Sequence, residues 1–164
     1  MGRGGEKWCM VSRSGGQWRA RGRRAMLGFV GQFQHSLDAK GRLILPARFR
    51  AAFERGGSLS PNTEGCVALW TPSEFARQME ERLARSREGG PEERRVMRFW
   101  SANSSEVEFD KQGRFALPPA IRDYAELSGE VLVVGAIDHI ELWNPPTYAE
   151  MVDAAEATFK RGLE

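Results

Sequence analysis

A nine-residue phrase occurs twice in the chain, and it constrains the fold more than any other feature of the sequence. Residues 38–46 read DAKGRLILP, and residues 110–118 read DKQGRFALP. A second pair of similar segments follows, CVALWTPSEF at 66–75 and HIELWNPPTY at 139–148. The two spacings, 72 and 73 residues, differ by a single residue, which indicates that the chain contains two halves of similar structure.

Each copy of the phrase predicts a β-hairpin turn followed by a helix. Asp38 suits the first position of a type I turn, and Gly41 suits the left-handed position that completes the loop. Alternation in the return strand then places Leu43 on one face and Arg42 on the other. A proline begins the helix, where its missing N–H does no harm. The residues with turn or helix-start roles are Asp38, Gly41, Pro46, Asp110, Gly113 and Pro118.

The rest of each half predicts short strands and amphipathic helices. TPSE at 71–74 is a capping box, and NPPT at 144–147 is its counterpart in the second half. Neither half has enough strands to enclose a core alone. We therefore expect an α+β fold with a pseudo-two-fold internal repeat, in which both halves share a barrel-like sheet surrounded by helices. The predicted strands are 66–70, 131–134 and 139–143, beside those that flank each turn, and a connecting helix is predicted at 92–102. The predicted apolar helix stripes are Phe75, Met79 and Leu83; Val96, Phe99 and Trp100; and Tyr148, Met151 or Val152, Ala155 and Phe159.

The N-terminal segment differs from the rest of the chain in charge and composition. Residues 1–25 carry seven Lys or Arg and one Glu, without an apolar period. We expect a disordered basic extension that is dispensable for folding. A nucleic-acid-binding arm, an organelle transit peptide and a translation start at Met26 are the alternatives. The chain has 24 basic and 22 acidic residues, and 17 basic and 21 acidic residues lie outside this segment. The rest of the chain is therefore mildly acidic, and its net charge does not indicate nucleic-acid binding.

Several classes of function find no support in the sequence. No apolar run approaches the ~20 residues of a membrane-spanning helix. Cys9 and Cys66 belong to no C-x-x-C pair, so we expect neither a disulfide framework nor a cysteine-rich metal site. We expect the protein to be located in a reducing cytoplasm. No Ser-His-Asp, H-E-x-x-H or phosphate-binding glycine motif occurs, so we expect no catalytic residues, enzymatic activity, cofactor, metal ion or small-molecule substrate. His35 and His139 align with strand positions of the other copy, which predicts packing roles.

The doubled motif resembles that of a known protein family. DAKGRLILPARFR and DKQGRFALPPAIR, one in each half, are similar to the MraZ family of bacterial transcriptional regulators. The resemblance covers about residues 26–160 and implies an AbrB-like swapped-hairpin β-barrel, with halves at 26–90 and 91–164. It also implies a homo-oligomeric ring that binds repeated double-stranded DNA sites. These sites would lie upstream of the division and cell-wall gene cluster that contains the protein's own gene. The resemblance implies that the protein represses this cluster and is located in the cytoplasm, at the nucleoid.

The resemblance further implies that the turn of the D-x-K-G-R segment faces DNA. A two-stranded ribbon can enter the major groove, where arginine pairs with guanine, while lysine suits phosphates. The second copy departs from the first: Gln112 replaces Lys40, and Ala120 replaces Arg48. We therefore expect the first hairpin to carry most DNA binding, and we expect Arg114 and Arg122 to hold the halves or the ring together. The candidate DNA-binding residues are Lys40, Arg42, Arg48, Arg50, Lys111 and Arg114.

On local chemistry alone, an ion pair with Asp38 or a solvated strand position explains Arg42.

Two other functions remain open. Swapped-hairpin domains also occur in antitoxins, so a protein-interaction module is one alternative. A non-specific nucleoid-binding protein is the other.

Overall fold

The structure, a computed structural model, describes residues 28–162, so the predicted basic extension at 1–25 lies outside the described residues. The described strands are β1 Gln32–Ser36, β2 Arg42–Ile44, β3 Gly57–Pro61, β4 Val67–Trp70, β5 Ser105–Val107, β6 Arg114–Ala116, β7 Glu130–Gly135 and β8 Ile140–Trp143. The α-helices are α1 Pro72–Glu88, α2 Pro91–Ala102, α3 Pro119–Tyr124 and α4 Pro145–Arg161, and 3-10 helices span Ala47–Phe53 and Thr63–Gly65.

The strands form a six-stranded antiparallel sheet, in the order β1-β7-β8-β4-β3-β5, and a two-stranded ribbon of β2 and β6. If β1 is taken as equivalent to β5, β3 to β7 and β4 to β8, the strand order of the sheet is symmetric about its centre. Strand β1 pairs with β7 of the second half, and β5 pairs with β3 of the first. The hairpin of each half thus pairs with the other half, as the internal repeat suggests.

The pairing within residues 28–162 ends at β1 on one side and at β5 on the other. The sheet is therefore open in a mixed α/β arrangement, and its closure into a barrel stays a prediction. The predicted boundary between halves falls between α1 and α2, which end and begin at Glu88 and Pro91. That boundary also stays a prediction.

The core lies where both halves meet. Leu43 and Leu45 of the first hairpin are 0% and 1% exposed, and Phe115 and Leu117 of the second are 1% and 2% exposed. These side chains pack with phenylalanines of both halves in one cluster, in which Phe53 contacts Phe109 at a ring-centroid distance of 5.5 Å. The alternation that the sequence predicts for the return strands is confirmed, and the two hairpins cover one shared core.

Helix ends follow the predicted capping. Thr71 is the N-cap of α1, with its hydroxyl accepting a hydrogen bond from the backbone N–H of Glu74 at 3.4 Å. The carboxylate of Glu74 bonds Arg77 instead of completing the box. Asn144 caps α4 by accepting from the N–H of Thr147 at 3.3 Å. These caps place both long helices at the ends of their preceding strands.

The structure contains one strand that the sequence analysis did not predict. Strand β3 was not predicted, because its sequence GSLSP is rich in turn-forming residues, yet all five of its residues are buried between β4 and β5. The apolar stripes of the helices are partly exposed. Leu83 is 41% exposed, Phe99 is 51% exposed and Phe159 is 78% exposed. Within residues 28–162, the ring of Tyr124 lies 6.0 Å from that of Phe99, and all three side chains remain exposed.

Within the described residues, no helix combines the length and the apolar character that crossing a membrane requires.

Candidate nucleic-acid interface

The β2–β6 ribbon brings the two copies of the repeated phrase together. Its register places Arg42 opposite Ala116 and Ile44 opposite Arg114, with Leu43 and Phe115 paired between them. Because Leu43 and Phe115 face the core, alternation places the other four side chains on the outer face. Both arginines therefore lie on one face of a short antiparallel ribbon, near opposite ends.

Each hairpin turn positions its arginine in the same way. One oxygen of Asp38 accepts hydrogen bonds from the backbone N–H groups of Lys40 and Arg42, both at 2.9 Å. The other oxygen accepts from Nε of Arg42 at 2.8 Å. Asp110 makes the corresponding bonds to the second turn, including one from Nε of Arg114 at 2.7 Å. Among residues 28–162, neither arginine has a hydrogen bond at Nη1 or Nη2, so these nitrogens are available to a ligand.

The hydrogen bonds in the turns also stabilise the charged form of each aspartate. The backbone N–H of Arg114, followed by its side chain, lowers the pKa of Asp110 to about 2. The pKa of Asp38 is lowered as well, first by the backbone N–H of Arg42. Both carboxylates are therefore ionised at neutral pH, and each holds its arginine through an ion pair.

Arginines from the helices after each ribbon strand contact the turn of the opposite half. A methyl group at Gly41, where φ is +72°, would lie 2.8 Å from Nη1 of Arg122. A methyl group at Gly113, where φ is +78°, would overlap with Arg50, whose Nε donates to the carbonyl of Leu45 at 3.0 Å. Backbone bonds cross in the same direction: the carbonyl of Gly41 accepts from Leu117, and that of Gly113 accepts from Leu45.

The other candidate residues lie at the edges of this surface. Lys40 and Lys111 are exposed in the two turns. Arg48 is exposed on the first 3-10 helix, with its guanidinium 5.7 Å from the ring centre of Phe33. Its contact with an aromatic face gives Arg48 a packing role, whatever else it binds.

The four arginines form two equivalent pairs, one on the ribbon strands and one on the helices that follow them. Arg42 and Arg114 have equivalent positions and contacts, while Arg50 and Arg122 both cover the opposite turn. The side chain of Arg114 bonds the turn of its own half, so its expected role in holding the halves together has no support from these contacts. The contact between Arg122 and Gly41 does support that role for Arg122.

A polar network that the sequence analysis missed lies beside α1, away from the candidate DNA-binding residues. His139 bonds Asp138 at 2.6 Å and Glu141 at 3.1 Å, and its ring stacks on Trp70. Asp138 accepts from Arg77 of α1 at 2.9 Å. Burial opposes protonation of His139, but the bonds to Glu141 and Asp138 raise its pKa. The Asp-His-Ile-Glu order was visible in the sequence, but the approach of Arg77 from another element was not.

Comparison with known proteins agrees with this architecture. A family model described as "MraZ protein, putative antitoxin-like" matches the chain twice, at residues 29–99 and 101–164. A protein of Pediococcus pentosaceus named transcriptional regulator MraZ is 36% identical over 131 residues, which cover 80% of this chain and 91% of that protein. A protein of the same name from Thermomicrobium roseum is 38% identical over 129 residues, covering 79% and 90% of the two chains. A third, from Desulforamulus reducens, is 35% identical over 136 residues, covering 83% and 95%.

Two matches of one family model together span nearly all of the described chain, and the similarity to these regulators extends over most of both sequences. The chain therefore belongs to the MraZ family.

Proposed function

We propose that this protein is a sequence-specific DNA-binding transcriptional regulator that acts as a homo-oligomeric ring at the nucleoid. It binds repeated sites upstream of the division and cell-wall gene cluster containing its own gene, and it represses that cluster. It has no enzymatic activity in this proposal. The ribbon arginines, each held by an aspartate and available at its terminal nitrogens, are the observation that carries the proposal.

The ribbon has the shape and chemistry of a major-groove ligand. A two-stranded β-ribbon fits the major groove, where the two terminal nitrogens of arginine can bond O6 and N7 of guanine. The bond from Nε to Asp38 or Asp110 restricts the guanidinium and leaves those terminal nitrogens outward. An arginine that is already oriented loses less conformational freedom when it binds. Lys40 and Lys111 in the turns suit phosphate contacts on either side.

Assembly into a ring would supply the affinity that one short ribbon lacks. Helix α1 has α2 packed against it, with Phe75 stacked on Trp100 at 5.2 Å. Its counterpart α4 has no buried residue along its length. A groove of about 430 Å³ beside α1 and α2 also contains buried polar atoms without partners in the described chain: Nε of Arg82, Nε1 of Trp100 and Oγ of Ser105.

A second copy is the occupant that best fits these surfaces. A head-to-tail contact between α4 of one copy and the α1–α2 groove of the next would cover the uncovered stripe and the groove together. Contacts of this type close into rings when their rotation permits. Several ribbons on repeated sites would then bind with a higher effective concentration than one ribbon.

The test measures binding of fluorescent duplex DNA from the region upstream of the protein's own gene. We expect Arg42→Ala and Arg114→Ala each to cost roughly 1–3 kcal/mol and to weaken discrimination against base changes. Lys40→Ala should weaken binding to all sequences and reduce the salt dependence. Arg95→Ala is the control, because Arg95 is an exposed arginine that also pairs with a carboxylate of its own element, Glu92.

Three outcomes separate the parts of the proposal. Binding that is equal for the upstream repeats and for a shuffled duplex would favour the non-specific nucleoid protein. Full affinity in both ribbon variants would remove the ribbon from the interface. Loss with Arg42→Ala alone would support the predicted dominance of the first hairpin.

An antitoxin-like role is the second candidate, favoured by the description of the matching family model. An antitoxin must bind a protein partner, so size-exclusion chromatography with the products of the adjacent genes is the discriminating measurement. A stable complex that forms without DNA and survives Arg42→Ala would support this role over DNA recognition.

A further inference from the structure

Ile44 occupies an exposed position on the ribbon between the two arginines. It lies two residues after Arg42 on the same face and directly opposite Arg114 on the neighbouring strand. Ile44 is 40% exposed, whereas Leu43 and Leu45 on either side are 0% and 1% exposed. The side chain is therefore a large apolar group beside both arginines on the outward face of the ribbon.

The two ends of the ribbon differ at this position. In the second half, the residue equivalent to Ile44 is Ala116, which lies opposite Arg42. The arginines, aspartates and turn glycines are the same in both halves, but the apolar side chain is long at one end and a single methyl group at the other. The pseudo-two-fold symmetry of the surface is broken at this pair.

We propose that Ile44 determines part of the base specificity by contacting the 5-methyl group of a thymine in the major groove. This inference rests on the proposed function. The thymine methyl is the apolar feature that distinguishes one base pair in the major groove. A hydrocarbon side chain can recognise it without a hydrogen bond.

The spacing on the ribbon suits this contact. Residues two apart on a strand are separated by about 6.6–6.8 Å, and successive base pairs rise by about 3.4 Å. Directly opposite residues on an antiparallel pair have Cβ atoms about 4.5–5.5 Å apart. Ile44 therefore contacts a base pair one or two steps from the pairs contacted by Arg42 and Arg114. Because Ala116 is too short to reach as far, the ribbon prefers one orientation on the DNA.

The test removes the methyl group from the DNA and the side chain from the protein. Each thymine of the upstream repeat is replaced singly by deoxyuridine, and the affinities of the full-length wild type and of Ile44→Ala are compared. At one thymine position, the replacement should weaken wild-type binding by about fourfold for each subunit engaged, which is the effect of one buried methyl-sized group. The same replacement should leave the affinity of Ile44→Ala unchanged.

The control is Ile137→Ala, which deletes the same atoms from an exposed isoleucine in the turn between β7 and β8. This variant should respond to every deoxyuridine as the wild type does. The inference is overturned if each deoxyuridine has the same effect on the wild type and on Ile44→Ala. It is also overturned if Ile44→Ala changes the mass measured by light scattering, because Ile44 then serves assembly.

Failure of the proposed function gives a different result. In that case the wild-type protein does not distinguish the unmodified upstream repeat from a shuffled duplex, and no deoxyuridine position matters. Specific wild-type binding without coupling to Ile44 would contradict only the inference about the thymine methyl.

Discussion

At the scale of single residues, the turn aspartates connect folding to the candidate DNA contacts. Asp38 and Asp110 each accept two backbone N–H groups and one guanidinium N–H, so one carboxylate shapes the turn and orients the arginine. The ion pairs are exposed, and exposed pairs contribute little to stability by Coulomb attraction. Their main effect is therefore on the geometry of the turn and the arginine.

The lowered aspartate pKa values predict weaker stability in acid. A carboxyl whose folded-state pKa is depressed contributes stability above its unfolded pKa and loses it as pH falls. For Asp110, this stability is lost as the pH falls from 3.8, the ordinary pKa of the group, to its folded-state pKa of about 2. The free energy of unfolding should fall over that range in denaturant titrations, and Asp38→Asn/Asp110→Asn should reduce the fall. An unchanged pH dependence in the double variant would contradict the assignment.

The turn glycines predict energetic coupling between the halves. Gly41→Ala should destabilise the protein by roughly 1–2 kcal/mol from its left-handed backbone alone, and further because the new methyl meets Arg122. In the Arg122→Ala background only the backbone part should remain, as measured by a double-mutant cycle of unfolding free energies. Additive effects of the two substitutions would show that Arg122 does not restrict the turn of the other half.

At the scale of elements, α1 is attached to the sheet by polar as well as apolar contacts. Its Arg77 bonds Asp138, which in turn bonds His139 in front of β8. On the other side of α1, Phe75 stacks on Trp100 of α2. The position of this helix therefore depends on groups from two other parts of the chain, and one of these groups is a titratable histidine.

The two histidines predict opposite effects of pH on stability. His139 has a raised pKa, so its contribution is complete below the unfolded value of 6.5 and is lost as pH rises through the folded-state value. Burial, followed by the charge of Arg50, lowers the pKa of His35, so its contribution is lost as pH falls below 6.5.

Thermal unfolding across this pH range separates the two histidines. Compared with wild type, His139→Gln should become relatively more stable as pH rises, and His35→Gln relatively less stable. If both variants keep the wild-type dependence of Tm on pH, neither histidine titrates as its contacts indicate.

At the scale of the whole molecule, residues 28–162 leave apolar helix surface exposed. Met79 and Leu83 of α1 are 47% and 41% exposed, and Phe159 of α4 is 78% exposed. The groove beside α1 and α2 contains buried polar atoms that have no hydrogen-bond partner among residues 28–162, and such atoms are costly in a monomer. Association of copies would reduce both costs.

Light scattering should therefore show an oligomer at micromolar concentration, and Leu83→Glu should reduce its mass, because a carboxylate cannot be buried against an apolar partner. Affinity for repeated DNA sites should fall by about 10² or more as multivalency is lost. Ile137→Glu, at an apolar position exposed elsewhere, is the control and should keep the oligomer. A monomeric wild-type protein would contradict the prediction and remove the basis for a ring.

The sequence by itself determined the local structure around the repeated phrase. The Asp-x-x-Gly turns, the buried leucines of the return strands and the caps at Thr71 and Asn144 depend on residues within a few positions of each other. Backbone sterics, side-chain alternation and short-range hydrogen bonds act over that distance. The similarity of the two hairpins, and with it the family, could therefore be identified without coordinates.

Tertiary structure decided which half each element contacts. Strand β3 has a turn-like sequence and is extended because β4 and β5 satisfy its backbone on both sides. Arg50 lies over the turn at Gly113 and Arg122 over the turn at Gly41, both in the other half, and Arg114 is equivalent to Arg42 because β2 pairs with β6. Contacts between residues distant in sequence depend on how the two halves exchange their hairpins. The sequence indicated that exchange only through its family resemblance, and the folded chain shows which residues pair.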